Sequence, residues 1–210
     1  MAYPVSVTSE PQLQQRDRLT TAFRLILAIP HLILVGGVGV GFAANSGRRD
    51  ILSFGGETGL LGGIAFLLAV VSWFTLVIAS EHWTPIRRYT HFYLRWRVRA
   101  LSYLMLLADR YPPFGDGPYP ATLALAAQDT PRDRLTVALR LILAIPHFIV
   151  LFFVVCAWWV TTLVSWCAIV IGGRYPQGLY FFGAGALQWL IRVEAYVLLL
   201  VDDYPPFSFS

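Results

Sequence analysis

Four charged side chains sit where an apolar chain should carry none. Arg97, Arg99, Arg192 and Glu194 all fall inside two long hydrophobic stretches. An arginine at the centre of a bilayer costs about 2.5–3.5 kcal/mol even on the lenient insertion scale. Charge at that depth therefore serves ion pairing, transport or a polar ligand. Glu194 stands two residues from Arg192, too near to face it, because helical neighbours lie three and four apart. Its partner is expected on the other stretch, as Arg97 or Arg99. The four residues form a candidate intramembrane polar site with two readings: a salt bridge that locks two hairpins together, which is the simpler one, or a polar site for a lipid headgroup or an ion.

A second set of candidates comes from the octapeptide RLILAIPH, written at Arg24–His31 and again at Arg140–His147. Arg16, Thr20 and Arg24, like Arg132, Thr136 and Arg140, recur every four residues, which draws one polar stripe along an aliphatic helix. Such a helix is expected to lie in the membrane interface with its arginines toward phosphates. Pro30 and Pro146 would then bend the chain into a spanning helix. Arg16, Arg24, His31, Arg132, Arg140 and His147 are accordingly candidate lipid-headgroup contacts. The competing reading makes this segment the polar end of one longer spanning helix. A metal site needs three or four ligands, and two copies of one histidine do not supply them. The chain has no nucleophile elbow, P-loop, dinucleotide fingerprint or zinc-protease motif. No catalytic residue, cofactor or metal is expected, and the protein reads as a non-enzyme.

These residues belong to a duplicated unit. RDRLTTAFRLILAIPHLIL (16–34) and RDRLTVALRLILAIPHFIV (132–150) agree at 15 of 19 positions, 116 residues apart. LRWRVRALSYLMLLADRYPPF (94–114) and LQWLIRVEAYVLLLVDDYPPF (187–207) agree at 11 of 21, 93 residues apart. The chain thus divides into a first membrane repeat (1–114, with an insertion at 35–58), a linker (115–118) and a second repeat (119–210). Residues 146–171 run 26 positions without a charge, and a span needs roughly 20. The expected architecture is an all-α integral membrane protein of two tandem repeats. Each repeat is an interfacial amphipathic helix followed by a transmembrane helical hairpin, giving four spans. The glycine-rich segment 30–44 reads as either a fifth span or a re-entrant segment. Two spans per copy keep the repeats parallel, and an odd number would invert them as in transporters. The parallel form is preferred, because the motifs flanking each hairpin are chemically alike. The YPPF endings read as aromatic-belt anchors.

Composition agrees with lipid as the main solvent. The chain is 57% hydrophobic and 13% charged, about half the usual charge content of soluble domains. All 16 basic residues are arginine, a side chain that forks onto phosphate or carboxylate, although GC-rich codon usage is an equal explanation. The pI is near 9.3, yet no basic stripe has nucleic-acid patterning, so no nucleic-acid partner is expected. Cys156 and Cys167 read as small core residues. The polar N-terminal stretch lacks the form of a cleaved signal peptide. Arginine counts at the hairpin ends place both termini in the cytoplasm of a multi-pass protein of the inner (plasma) membrane.

With RLILAIPH, the later SW pair, and W..R...Y.LLL.D.YPPF in view, the chain resembles a family of multi-pass, mostly actinobacterial membrane proteins described as domain of unknown function 4389. The resemblance covers nearly the whole chain, with the second copy the cleaner. It implies the membrane class and the duplication, and it carries no activity. The expected function is an accessory or scaffold subunit of a larger membrane complex, or an organiser of anionic lipids. Its partners would be anionic membrane lipids and either a protein within the membrane or a second copy of the chain. The alternative is a small transporter or channel with a polar site between the repeats.

Overall fold

A single stripe explains the longest element. In the computed structural model, which describes residues 3–39, 42–43, 53–54, 59–79, 84–115, 117–126 and 134–209, helix α5 runs Arg134–Gly172. Its buried residues are Val137, Arg140, Ala144, His147, Leu151, Val155, Trp158, Thr162, Ser165 and Ile169. They are spaced three and four apart, so one narrow face meets the protein and the rest of the circumference is apolar and exposed. The helix is unbroken at Pro146.

The first repeat builds the same rod from two pieces. After β1 (Val5–Ser9) and the short α1 (Arg18–Ala22), helix α2 (Arg24–Val35) buries Arg24, Ala28, His31 and Val35. These are the counterparts of Arg140, Ala144, His147 and Leu151. The insertion follows, and within it β2 (Phe42–Ala43) pairs with β3 (Ser53–Phe54). Helix α3 (Leu60–Ala79) then matches the second half of α5 at the 93-residue offset. Gly59 lies against the end of α2: a Cβ there would come within 2.4 Å of the Leu34 carbonyl carbon and 2.6 Å of the Gly36 nitrogen. Only glycine admits that approach, and it brings α3 back to where the interrupted rod left off.

Two central helices return against these rods. They are α4 (Thr84–Leu104) and α6 (Gln177–Val197). Each ends in a Schellman turn whose left-handed residue is a leucine instead of a glycine: Leu106 at φ 66° and Leu199 at φ 62°. The Leu107 amide bonds the Ser102 carbonyl and the Leu106 amide that of Tyr103, while the Leu200 and Leu199 amides repeat this on Ala195 and Tyr196. These are the six-to-one and five-to-two bonds of that cap. Both leucines are buried, so packing holds a backbone conformation that costs a side chain about 1–2 kcal/mol.

The repeats also join through a ribbon. Strand β1 pairs antiparallel with β4 (Ala121–Leu125), and Val7 lies opposite Leu123. Leu123 is the counterpart of Val7 at the 116-residue offset, so the two strands meet about a local twofold axis.

Several expectations are corrected by this arrangement. Among the described residues, two helices are long and apolar enough to cross a membrane: Leu60–Ile78 with mean hydropathy 2.4, and Arg134–Gly172 with 2.6. Four such spans are not found, because α4 carries five arginines and α6 the Arg192 and Glu194 charges. These helices tolerate charge because protein surrounds them, with residues 97–104 of α4 and most of the second half of α6 buried. Among the described residues the second repeat has no separate interfacial helix, since Arg134 through Gly172 form one rod. Nor does proline interrupt the helix in either copy; the first rod breaks at Phe23 and after Val35 instead. Helix α2 has 12 residues, about 18 Å at 1.5 Å per residue, well short of a span. Most of the insertion lies outside the described residues. Cys156 and Cys167 are exposed on α5, not core residues.

Candidate functional site

The arginine of RLILAIPH is enclosed by protein. Arg24 is 1% exposed. Its Nη1 donates to the carbonyls of Tyr103 (3.3 Å) and Ala108 (2.9 Å), and its Nη2 to Asp109 Oδ1 at 2.7 Å. Its guanidinium carbon sits 4.6 Å from the centre of the Tyr103 ring. Arg140 repeats every contact. Its Nη1 reaches the carbonyls of Tyr196 (2.9 Å) and Val201 (3.1 Å), its Nη2 Asp202 Oδ1 at 2.5 Å, and its guanidinium the Tyr196 ring at 4.6 Å. Each guanidinium thus adds a second donor to a carbonyl of the helix cap and takes one carbonyl just beyond it, at a helix C-terminus where the macrodipole favours a cation. Arg16, 4% exposed, joins the first cage: Nη2 donates to the Leu106 carbonyl and Nε lies 3.1 Å from Asp109 Oδ1. Burial lowers the Arg16 pKa from its ordinary value, and the Asp109 carboxylate opposes that.

The histidines are interior as well. His31 and His147 are 1% and 0% exposed. Trp96 Nε1 donates to His31 Nδ1 at 3.0 Å, and Trp189 Nε1 to His147 Nδ1 at 3.3 Å. The YPPF phenylalanines cover the imidazoles: Phe114 stacks on His31 at 4.5 Å between centroids, and Phe207 on His147 at 3.9 Å. Headgroup contact by Arg16, Arg24, His31, Arg140 and His147 is therefore corrected. Their polar atoms face inward because the helix C-termini, the aspartates and the tryptophans offer acceptors and donors there. Arg132 lies outside the described residues.

Of the four intramembrane candidates, two meet. Arg97 Nε donates to Glu194 Oε1 at 2.9 Å and Oε2 at 2.7 Å across the α4–α6 contact. Arg97 Nη1 donates to the Val35 carbonyl (2.6 Å) and Nη2 to that of Gly37 (3.1 Å). Those carbonyls are at the cut end of α2. The counterpart of Arg97 is Leu190, and the counterpart of Glu194 is Leu101. The pair therefore occurs once, where the rod is interrupted and carbonyls need a donor. Arg99 and Arg192 leave this site. Arg99 Nη1 donates to the Gly115 carbonyl at 2.6 Å; Arg192 Nε donates to Val5 at 3.2 Å, under the Tyr3 ring. The four do not converge, since these two point toward chain segments outside the helices.

The repeats hold one another crosswise. Trp166 Nε1 donates to the Thr21 carbonyl of the first repeat, and Trp73 Nε1 to the Val137 carbonyl of the second, both at 3.0 Å. Thr21 and Val137 are counterparts, as are Trp73 and Trp166. Sequence reasoning missed Asp109 and Asp202 as the carboxylates of the two cages. Their signal was available: each copy writes the arginine of RLILAIPH and an aspartate two residues before the YPPF tyrosine.

The family model for a Domain of unknown function (DUF4389) matches this chain twice, over residues 51–115 and 134–208. No curated protein and no solved structure matches it.

Proposed function

We propose, for a chain that belongs to the DUF4389 family, that it works as a non-enzymatic membrane scaffold: an accessory subunit that packs against a larger membrane complex or gathers anionic lipids. In this reading it lies multi-pass in the inner (plasma) membrane with both termini in the cytoplasm. One observation carries the reading. The terminal nitrogens of Arg24 and Arg140 are bonded to protein acceptors, while the outward faces of α2, α3 and α5 are apolar. Ile26, Ile78, Leu135, Phe153 and Ile171 are each more than 60% exposed, and contiguous exposed apolar surface marks a membrane or a partner.

Anionic headgroups are then met by other arginines than the RLILAIPH pair. Arg18, Arg88, Arg110 and Arg174 are exposed and lie at or near helix ends and connections. A transport path finds less support, because Arg97 and Glu194 close on each other directly and on the end of α2. Extraction of the tagged full chain from native membranes into polymer-bounded discs tests the proposal. A co-purifying membrane protein or retained anionic phospholipid is the expected result. A chain recovered alone, with bulk lipid composition around it, overturns it.

A further inference from the structure

The duplication creates two matching clefts, each built by both repeats. In the first, Arg24 and Leu25 face Thr162, Leu163 and Trp166, around a volume of about 270 Å3. In the second, Arg140 and Leu141 face Ala69, Val70 and Trp73, around about 250 Å3. Every residue of the second set is the counterpart of one in the first, by 116 residues for the arginine helix and by 93 for the facing helix. The crosswise tryptophan bonds fix one wall of each cleft.

We propose that each cleft holds one acyl chain of a membrane phospholipid, its ester carbonyl turned toward the buried arginine. The proposal rests on the membrane-embedded reading above. The linings are apolar apart from the arginine and, in the first cleft, Thr162, and apolar cavities of this size stay dry or take apolar ligands. Their rims are continuous with the exposed apolar faces: Leu25 is 62% and Leu163 64% exposed at the first, Leu141 49% and Phe74 53% at the second. A chain can therefore enter sideways from lipid. The head of the ligand is set by donors left over. Arg24 Nε, Thr162 Oγ1 and Arg140 Nε are buried and have no hydrogen-bond partner in the protein, although the other nitrogens of both arginines are taken. A buried donor without an acceptor costs free energy, and an ester carbonyl is the acceptor that a bilayer delivers beside an acyl chain. The first cleft offers two such donors and the second one, because Ala69 replaces Thr162, so the first holds its lipid longer.

Reconstitution of the full chain in vesicles of equal parts phosphatidylglycerol and phosphatidylcholine provides the test. The vesicles are doped with a phospholipid carrying a photoactivatable diazirine on its acyl chain, and adducts are mapped by mass spectrometry. Adducts are expected to concentrate at Leu25 and Leu163 and at Leu141 and Val70, over the lipid-facing Phe153 and Ile171. Leu163→Trp fills the first cleft from its exposed rim. It should cut adducts there about tenfold (about 1.4 kcal/mol) and leave the second cleft labelled; Val70→Trp should do the reverse. Each variant is thus the folding control of the other, and the wild-type map decides even if one fails to fold. Labelling at Phe153 and Ile171 with none above it in the clefts would overturn the proposal, whether the clefts are empty or filled by a partner helix, and would leave the membrane reading intact. No labelling anywhere would overturn both.

Discussion

Arg24 and Arg140 each hold two carbonyls, one carboxylate and one aromatic ring, so their loss strands several buried groups at once. Arg140→Leu removes the guanidinium from Asp202 and from the Tyr196 and Val201 carbonyls, and breaking a buried pair costs about 3–5 kcal/mol. We expect that loss in detergent thermal unfolding, with Arg140→Leu/Asp202→Leu recovering part of it. Arg140→Lys should rescue poorly, because an ammonium cannot reproduce the planar fork that serves Tyr196, Val201 and Asp202 together. A variant as stable as the parent would show that the cage holds nothing. At this scale the sequence was half legible. The partner of Glu194 could be narrowed to Arg97 or Arg99, because helical spacing excludes Arg192. The inward aim of Arg24 and Arg140 was not legible. A polar stripe at four-residue spacing looks the same whether it faces phosphates or protein, and only the neighbouring helix C-terminus decides.

The rod that is continuous in α5 and split into α2 and α3 explains why the α4–α6 contact carries the Arg97–Glu194 salt bridge at one place and the leucines Leu190 and Leu101 at the equivalent place. Removing residues 36–58 would join Val35 to Gly59 as Leu151 joins Phe152. It would also remove the Gly37 acceptor of Arg97. We expect the deletion combined with Arg97→Leu and Glu194→Leu to be more stable than the deletion alone by about 1–4 kcal/mol, as when apolar side chains replace a buried pair. Equal unfolding temperatures would contradict this. Gly59→Ala in the full chain should lower stability by about 1–3 kcal/mol, since its Cβ has backbone atoms within 2.6 Å. The charge-free stretch 146–171 made α5 readable as a helix long and apolar enough to cross a membrane. The fate of α4 and α6 was not, because their length suits a span while their arginines suit a covered helix, and burial by other elements is invisible locally.

Crosswise packing makes the two repeats one folding unit despite the clear boundary in sequence. Trp166 and Trp73 each bond the other repeat, and β1 and β4 complete one ribbon. Halves expressed as residues 1–117 and 118–210 should therefore assemble when produced together, and each should be recovered aggregated when produced alone. Monodisperse separate halves would contradict the exchange. The duplication itself was plain from two offsets, but the exchange between copies was not, because a repeat folded on itself and one folded on its neighbour share a sequence. On this reading the buried charges hold the repeats together and do not line a path. A double-mutant cycle on Arg97→Leu and Glu194→Leu, read by thermal unfolding of the full chain in lipid discs, tests it most directly. Each single change should cost about 3–5 kcal/mol and the double change much less than their sum. Single variants that unfold with the parent would contradict it.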